Sequence, residues 1–267
     1  FFNALYEFGK LIESGNGQRY ASHLLTRFIP NIYSDVVRKM RGHVVDAGSE
    51  GIVDRFQKIS GLKDAPPIRN VWGKKSPVSG WQPWASKSAE TFIGDYVYME
   101  YNKRHKDKPK APVRHAKKFK DEGVEREFNA QEFEQYVVLS GELAVEIVEK
   151  LVPEELAKEG SLGMVEVTNS IISESKTIVK DYYKDTESKP QEGFAGFKER
   201  RPFYVNQIMK SVYDKWGEFL MSPKPPRKGE PTKVYEDKVK LWEEKQPAAQ
   251  KWYDWATKNR DKIFNND

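Results

Sequence analysis

Residues 129–151 read NAQEFEQYVVLSGELAVEIVEKL, and this stretch decides the fold class. Asn129 can cap the first turn of a helix, and Glu132 stands at the reciprocal position of a capping box. Apolar residues then recur at helical spacing until Pro153, which cannot continue a helix. They are Phe133, Tyr136, Val137, Leu143, Ala144, Ile147, Val148 and Leu151. The pattern predicts an amphipathic helix with one apolar face.

A second apolar stripe downstream can cover the face of this helix. It consists of Met164, Ile171, Ile172, Ile178, Val179 and Tyr182. Neither helix can bury its own stripe alone, so we expect the two to pack together as a helical hairpin over residues 129–184. Strand-like alternation is scarce along the chain. The sequence therefore predicts a mainly α fold, an extended multi-helix assembly joined by a non-helical strap and basic linkers.

The remainder of the chain divides into four segments. Residues 1–59 predict N-terminal helices. Residues 60–102 predict a strap rich in Pro, Gly and Trp followed by a short helix, and residues 103–128 a basic linker. Residues 185–267 predict C-terminal helices with a proline-rich linker. Two short helices are expected to end the chain, the first carrying Val239 and Trp242 and the second carrying Trp252, Trp255 and Ile263.

Five tryptophans are candidate partner-docking residues, because tryptophan is enriched at binding hot spots as well as in cores. Trp72, Trp81 and Trp84 lie in the strap, where closely spaced prolines exclude regular helix. We favour an intramolecular strap for Trp72 and leave Trp81 and Trp84 open. For Trp252 and Trp255 helical spacing favours core packing, with docking to a neighbour or a membrane interface as the alternative.

The basic linker is the candidate contact for nucleic-acid phosphates, since Lys and Arg neutralise phosphates and release counterions. Residues 103–120 contain a single acid, Asp107, and Pro109 and Pro112 are expected to keep them extended. Few aromatic residues are interleaved, although single-strand binding favours them. A solvated connector explains the same charge run and is the interpretation we favour. The candidate phosphate contacts are Lys103, Arg104, Lys106, Lys108, Lys110, Arg114, Lys117 and Lys118.

Composition excludes several functions. The 267 residues contain no cysteine, which rules out disulfide scaffolds, thiol nucleophiles and thiolate metal sites. The histidines His23, His43, His105 and His115 match no metal-binding spacing, and no phosphate-binding loop or nucleophile elbow occurs. We therefore predict no catalytic, cofactor-binding or metal-ligating residue and no cofactor. No apolar run is long enough for a stable membrane span, and because the sequence begins with Phe1 we expect a piece of a longer chain.

Four stretches carry a resemblance to a known family. They are Thr26–Pro30, the proline–glycine strap Ile59–Gly73, the capped helix Phe128–Leu143 with its Gly141, and the long helix ending near Tyr183. Over residues 20–184 they resemble a C-terminal region of very large virion polypeptides of tailed bacteriophages, which include internal virion or ejection proteins and other large polyvalent proteins. The strap departs from the pattern at Ser60, where proline is expected, and at Lys74 and Lys75, which replace an acidic residue and its neighbour.

The resemblance implies a structural or interaction segment of a phage virion protein, an internal core or DNA-ejection component near portal and tail. Its partners would be copies of itself in a homo-oligomer, portal or tail components, and DNA through non-specific electrostatics. Its location would be the virion and, after ejection, the host cell envelope. The family assigns no catalytic residues to this region, so the resemblance carries none to this sequence.

Two further hypotheses come from other classes. The chain could be a basic nucleic-acid-binding module that uses residues 103–120 and 224–228, or a non-catalytic accessory domain of a larger enzyme. Salt separates the first from a helical assembly, because binding to phosphates weakens steeply with ionic strength whereas helix packing does not.

Overall fold

Helices dominate the part of the chain that the computed structural model describes, which is residues 67–75, 92–121, 123–187, 194, 196–221 and 231–264. Helices account for 72% of these residues and strands for 6%, which confirms the mainly α class. The elements in chain order are α1 (Ile93–Arg104), β1 (Lys118–Asp121), β2 (Val124–Glu127), α2 (Ala130–Leu151), α3 (Glu154–Lys158), α4 (Leu162–Glu187), α5 (Arg201–Met221), α6 (Thr232–Lys258) and α7 (Arg260–Phe264).

The chain divides into two units, and the second contains all of these elements. The first consists of residues 1–70 and 75–86, of which only 67–70 and 75 are described; Arg69 and Lys75 form an isolated antiparallel bridge there. The second consists of residues 71–74 and 87–267. The helices expected over residues 1–59 lie outside the described residues.

The hairpin that the sequence predicts is present as α2 and α4. The capping box forms at its start: the Asn129 side chain accepts from the Glu132 amide at 2.9 Å, and the Glu132 carboxylate accepts from the Asn129 amide at 2.8 Å. Both apolar stripes are buried, and α4 also packs on α5 and α6. The boundary at Pro153 follows the prediction, since α2 ends at Leu151 and Pro153 is the N-cap of α3.

Residues 71–74 cross α2 at a point where each of the two segments carries a glycine, Gly73 in one and Gly141 in the other. A Cβ on Gly141 would lie 2.2 Å from the Gly73 nitrogen, and Gly73 has a φ of +74°, which side chains other than glycine rarely adopt. The crossing delivers Trp72 into the core, where its Nε1 donates to Asp95 Oδ1 at 2.7 Å and its ring meets the Phe92 ring edge-on at 4.8 Å. This part of the predicted strap is therefore packed inside its own unit.

The C-terminal part differs from the two short helices that the sequence predicts. Helix α6 is continuous for 27 residues and includes Pro247. Of the residues named for the two short helices, only Ile263 lies on the separate helix α7. An internal proline costs about 3 kcal/mol, since it removes one backbone hydrogen bond and crowds the preceding turn. In the turns that follow Pro247, the side chains of four residues are buried: Ala248, Ala249, Trp252 and Ala256. Burial of the Trp252 side chain contributes about 2 kcal/mol and each alanine methyl about 0.8 kcal/mol, so together these side chains offset the cost of the proline.

The basic linker also differs from the expected extended connector, because it ends in a β-hairpin. Strand β1 pairs with β2 in antiparallel register from Lys118↔Glu127 to Asp121↔Val124. Gly123 lies between the strands with a φ of +85°, which suits a tight turn. Within the described residues, no helix combines the length and the apolar character needed to cross a membrane.

Candidate nucleic-acid interface

The charge of the chain is concentrated in residues 103–120, which we call the basic segment. Nine lysines and arginines stand there against Asp107, a net charge of +8, whereas the whole chain carries +5. The other 249 residues therefore sum to −3. Because surface charges beyond a Debye length are screened, a polyanion responds to such a local excess of positive charge and not to the net charge of the chain.

The first part of the basic segment is a closed loop. Asn102, in the last turns of α1, makes two hydrogen bonds with the backbone of Lys110: its Nδ2 donates to the Lys110 carbonyl at 2.9 Å, and its Oδ1 accepts from the Lys110 amide at 2.7 Å. A turn between His105 and Lys108 shapes the loop inside this closure. The cationic side chains of the loop are exposed. The side-chain amide of Asn102 thus holds the two ends of the loop together, and the charged side chains between them are exposed.

Two polar contacts anchor the next part of the segment to the helical hairpin. The ring Nε2 of His115 lies 2.8 Å from the Ser140 hydroxyl of α2, and Lys176 of α4 donates to the Val113 carbonyl. The Ser140 hydroxyl itself donates to the Tyr136 carbonyl at 2.7 Å. A hydroxyl has one proton to give, so the histidine ring donates to Ser140 and does not accept from it. The pair therefore fixes the segment and does not activate the serine.

Burial and positive neighbours shift the pKa values of the anchoring groups. Burial, followed by the charges of Lys176 and Lys180, lowers the pKa of His115 to about 3. Burial, followed by the charge of Lys180, lowers the pKa of Lys176 to about 8. The pKa of Lys180 is lowered for the same first reason and by Lys184. His115 is therefore neutral near pH 7 and adds no positive charge to that of the neighbouring lysines.

Aromatic rings hold the last part of the basic segment. Phe119 of β1 and Phe128 lie 4.5 Å apart, and Phe128 stacks on Tyr136 at 4.9 Å and meets Tyr183 of α4 at 5.0 Å. Both phenylalanines are buried. Bases of a single strand stack on exposed rings, and these two rings are not exposed. The basic segment therefore exposes charged groups, and this cluster provides no free ring on which a base could stack.

The predicted phosphate contacts are all on the surface but differ in availability. Lys103 pairs with Glu100, Lys118 pairs with Glu125 at 2.7 Å, and Arg104 donates to the Lys158 carbonyl at 3.0 Å. The Lys117 ammonium lies 5.5 Å from the centre of the Phe133 ring. The other four candidates form no ion pair with another described residue. They are Lys106, Lys108, Lys110 and Arg114. The loop thus contains the most available charges.

The tryptophan predictions have divided outcomes. Trp72 and Trp252 are buried, and the Trp252 Nε1 donates to the Leu151 carbonyl at 2.7 Å, so neither side chain can contact a partner in this fold. Both candidate docking residues therefore lie in the core, where we favoured an intramolecular strap for Trp72 and core packing for Trp252. Each indole satisfies its donor and its apolar area inside the unit. Trp255 is half-buried against the core. Trp81 and Trp84, like the basic stretch 224–228, lie outside the described residues.

Sequence reasoning missed the lysines of α4 that face the basic segment. Lys176, Lys180 and Lys184 recur every four residues, which places them on one face of the helix. The spacing is visible in the sequence, but the apolar stripe of the same segment was sufficient by itself to predict a helix. Among the described residues, no group of three metal-ligating side chains occurs. No family model, curated protein or solved structure matches this chain.

Proposed function

We propose that this chain is a structural segment that binds the phosphate backbone of duplex DNA, without sequence preference, through the basic segment. The observation that carries the proposal is the closed loop of residues 102–110, in which the exposed Lys106, Lys108 and Lys110 make no ion pair with another described residue. Cations held in a fixed loop lose less entropy on meeting a phosphate than cations on a free chain. Such contacts position a protein on DNA but carry no sequence information.

Duplex is favoured over single strand because the rings near the basic segment point into the core. Phe119 and Phe128 are buried, and the ring of His105 is stacked on Tyr101 at 4.4 Å. Single-strand binding depends on free aromatic faces. A surface whose lysines and arginines are exposed while these rings are packed offers contacts to phosphates but none to unstacked bases.

The test replaces the three loop lysines together in the variant K106Q/K108Q/K110Q. Binding to a short duplex DNA is measured across a salt series by fluorescence anisotropy. The slope of log K against log salt should become shallower by about 2.7, since each phosphate contact contributes about 0.9. The matched control is K210Q/K233Q/K240Q, which removes the same charge from exposed positions on α5 and α6. Equal losses in the two variants would contradict a localised interface.

The virion role implied by the family resemblance is proposed as the setting of this activity. In that setting the chain would scaffold an internal core or DNA-ejection assembly near portal and tail, in contact with packaged DNA and with copies of itself. The support is the resemblance of the capped helix and the strap, together with the basic surface. Light scattering over a concentration series at high salt tests it. A homo-oligomer that persists in salt would support the assembly, and a monomer at every concentration would argue against it.

A further inference from the structure

The backbone of the basic segment runs along a lysine-bearing face of α4. We use the name lysine seam for residues 113–115 of the basic segment together with Lys176 and Lys180 of α4. The Lys176 ammonium donates to the Val113 carbonyl, and the Phe119 ring meets the Tyr183 ring at 6.0 Å, so the segment follows this face of α4. His115 of this segment is close enough to Lys176 and Lys180 for their charges to lower its pKa.

The positive charge of the seam is poorly compensated. Lys176 is only 6% exposed and Lys180 is half-buried, and neither forms an ion pair with a described carboxylate. The acids of α4 that are nearest in sequence have other partners: Asp181 pairs with Lys184 at 3.3 Å, and Glu174 pairs with Lys215 at 3.5 Å. Lysine is almost never buried without a paired charge, because removing an ammonium from water costs several kcal/mol.

Repulsion inside the seam adds to this cost. Like charges four residues apart on a helix destabilise it, and α4 contains two such steps in succession. The described protein supplies His115, which is neutral, Arg114, which is cationic, and the hydroxyl of Ser140. None of these neutralises an ammonium. Among the described residues, Asp181 acts on the charge of Lys180 but is itself paired with Lys184, so Lys176 and Lys180 retain a net positive potential.

We propose that the lysine seam is a phosphate site that receives a backbone phosphate of the bound duplex, with Lys180 as the contacting residue. This inference rests on the proposed DNA binding and deepens it. Lys180 is suited to the contact because it is only half-buried and forms no ion pair with a described carboxylate, whereas Lys176 is only 6% exposed. Lys176 holds the Val113 backbone in place and adds its charge to the field at the site. A phosphate oxygen would receive the hydrogen bonds that the ammonium groups of the seam have available.

The site has a signature that separates it from exposed lysines, because binding changes protonation. An anion beside Lys176 and Lys180 raises the pKa values that burial and the neighbouring lysines lower. Near pH 8, where Lys176 is about half-protonated, binding of phosphate should take up a fraction of a proton. Titration calorimetry in two buffers with different ionisation enthalpies measures this uptake. An exposed lysine is already fully protonated at that pH and takes up none.

The experiment compares Lys180→Gln with Lys210→Gln, which removes one exposed lysine from α5. Inorganic phosphate is the first probe, at an ionic strength matched with sodium chloride, and Tm is the readout. Phosphate should raise the Tm of the unmodified chain and of K210Q but not of K180Q. Duplex DNA is the second probe, for which K180Q should make the salt slope shallower by about 0.9. Lys180→Arg retains the charge and should restore both effects, and circular dichroism checks that each variant is folded.

The outcomes separate this site from the proposed function. If the unmodified chain binds DNA while K180Q and K210Q behave alike with both probes, the seam is not a phosphate site and DNA binding stands. If phosphate raises Tm through Lys180 but no duplex binds, the site belongs to a free anion, which overturns its assignment to a nucleic-acid backbone. If neither probe binds, both proposals fail.

Discussion

The α2–α4 hairpin and the basic segment lie against each other but are held by different means. The hairpin is joined by continuous apolar area, with Leu143, Ile147, Ile171 and Ile172 buried almost completely. The basic segment is held by separate points: Asn102 at one end, His115 and Lys176 in the middle, and Phe119 at the other end. Apolar packing is cooperative, whereas isolated anchors can be lost one at a time. The contacts that stabilise this protein and the contacts that hold its exposed charges in place are therefore largely separate.

The largest effect is expected where the hairpin meets residues 71–74. Gly141→Ala places a Cβ 2.2 Å from the Gly73 nitrogen, and backbone cannot yield as a flexible side chain can. Trp72 has to withdraw from the core, so we expect a loss of about 3 kcal/mol or more in the free energy of unfolding, measured in urea. Gly123→Ala is the control, since its Cβ meets nothing within 4 Å and only its φ of +85° is strained, at about 1 kcal/mol. Equal losses would mean that the crossing is loose.

A smaller loss is expected from Trp252→Phe. The substitution removes the Nε1 donor and leaves the Leu151 carbonyl buried without it, which costs about 2 kcal/mol. Trp255→Phe is the matched control on the same helix, where the side chain is half-buried and the loss should stay below about 1 kcal/mol. Thermal unfolding of both variants measures the difference. A greater loss at Trp255 would contradict the stabilising role assigned to the hydrogen bond between Trp252 and Leu151.

The anchor at His115 predicts a pH dependence. Between pH 6.5 and about 3 the unfolded chain binds a proton that the folded chain does not, so folded stability falls as pH decreases through this window. Lys176 and Lys180 of α4 and Tyr136 and Ser140 of α2 face the ring, and none of them can compensate its charge. Urea unfolding at several pH values should show this dependence.

His115→Gln is the matched variant for this pH effect. It keeps a donor at the same position and should remove up to about 1.4 kcal/mol per pH unit of the dependence. Ser161→Ala, at the start of α4, provides a comparison that changes no titrating group. If the two variants retain the same slope, carboxylates elsewhere account for the acid sensitivity.

The smallest effect is expected at Asn102, which closes the basic loop. Asn102→Ala removes two hydrogen bonds and no charge. Affinity for duplex DNA should fall by roughly threefold to tenfold through lost preorganisation, while the salt slope stays unchanged because the number of phosphate contacts is the same. Asn206→Ala, at an exposed position of α5, is the control. A shallower slope in the Asn102 variant would indicate that a charge had been displaced as well.

The prediction succeeded where local pattern and burial agree. The capping box at Asn129, the apolar faces of α2 and α4 and the end of α2 before Pro153 all depend on spacing along one helix. It was wrong for α6, because the burial that offsets Pro247 comes from α4 and α5, which lie distant in sequence. The hairpin β1–β2 was missed for a related reason: its charged strands alternate weakly, and Phe119 reaches the core only through Phe128 and Tyr183.

By itself the sequence determined the helical class, the charge of residues 103–120 and the absence of cysteine chemistry, because composition and short-range periodicity follow from neighbouring residues. Tertiary structure alone decided which tryptophans are buried, that Gly73 meets Gly141, and that a basic segment lies along a row of lysines. The physical reason is that burial and electrostatic potential are sums over residues far apart in the chain. The spacing of Lys176 and Lys180 on α4 acquires a meaning only when the fold sets the basic segment along the same face of the helix.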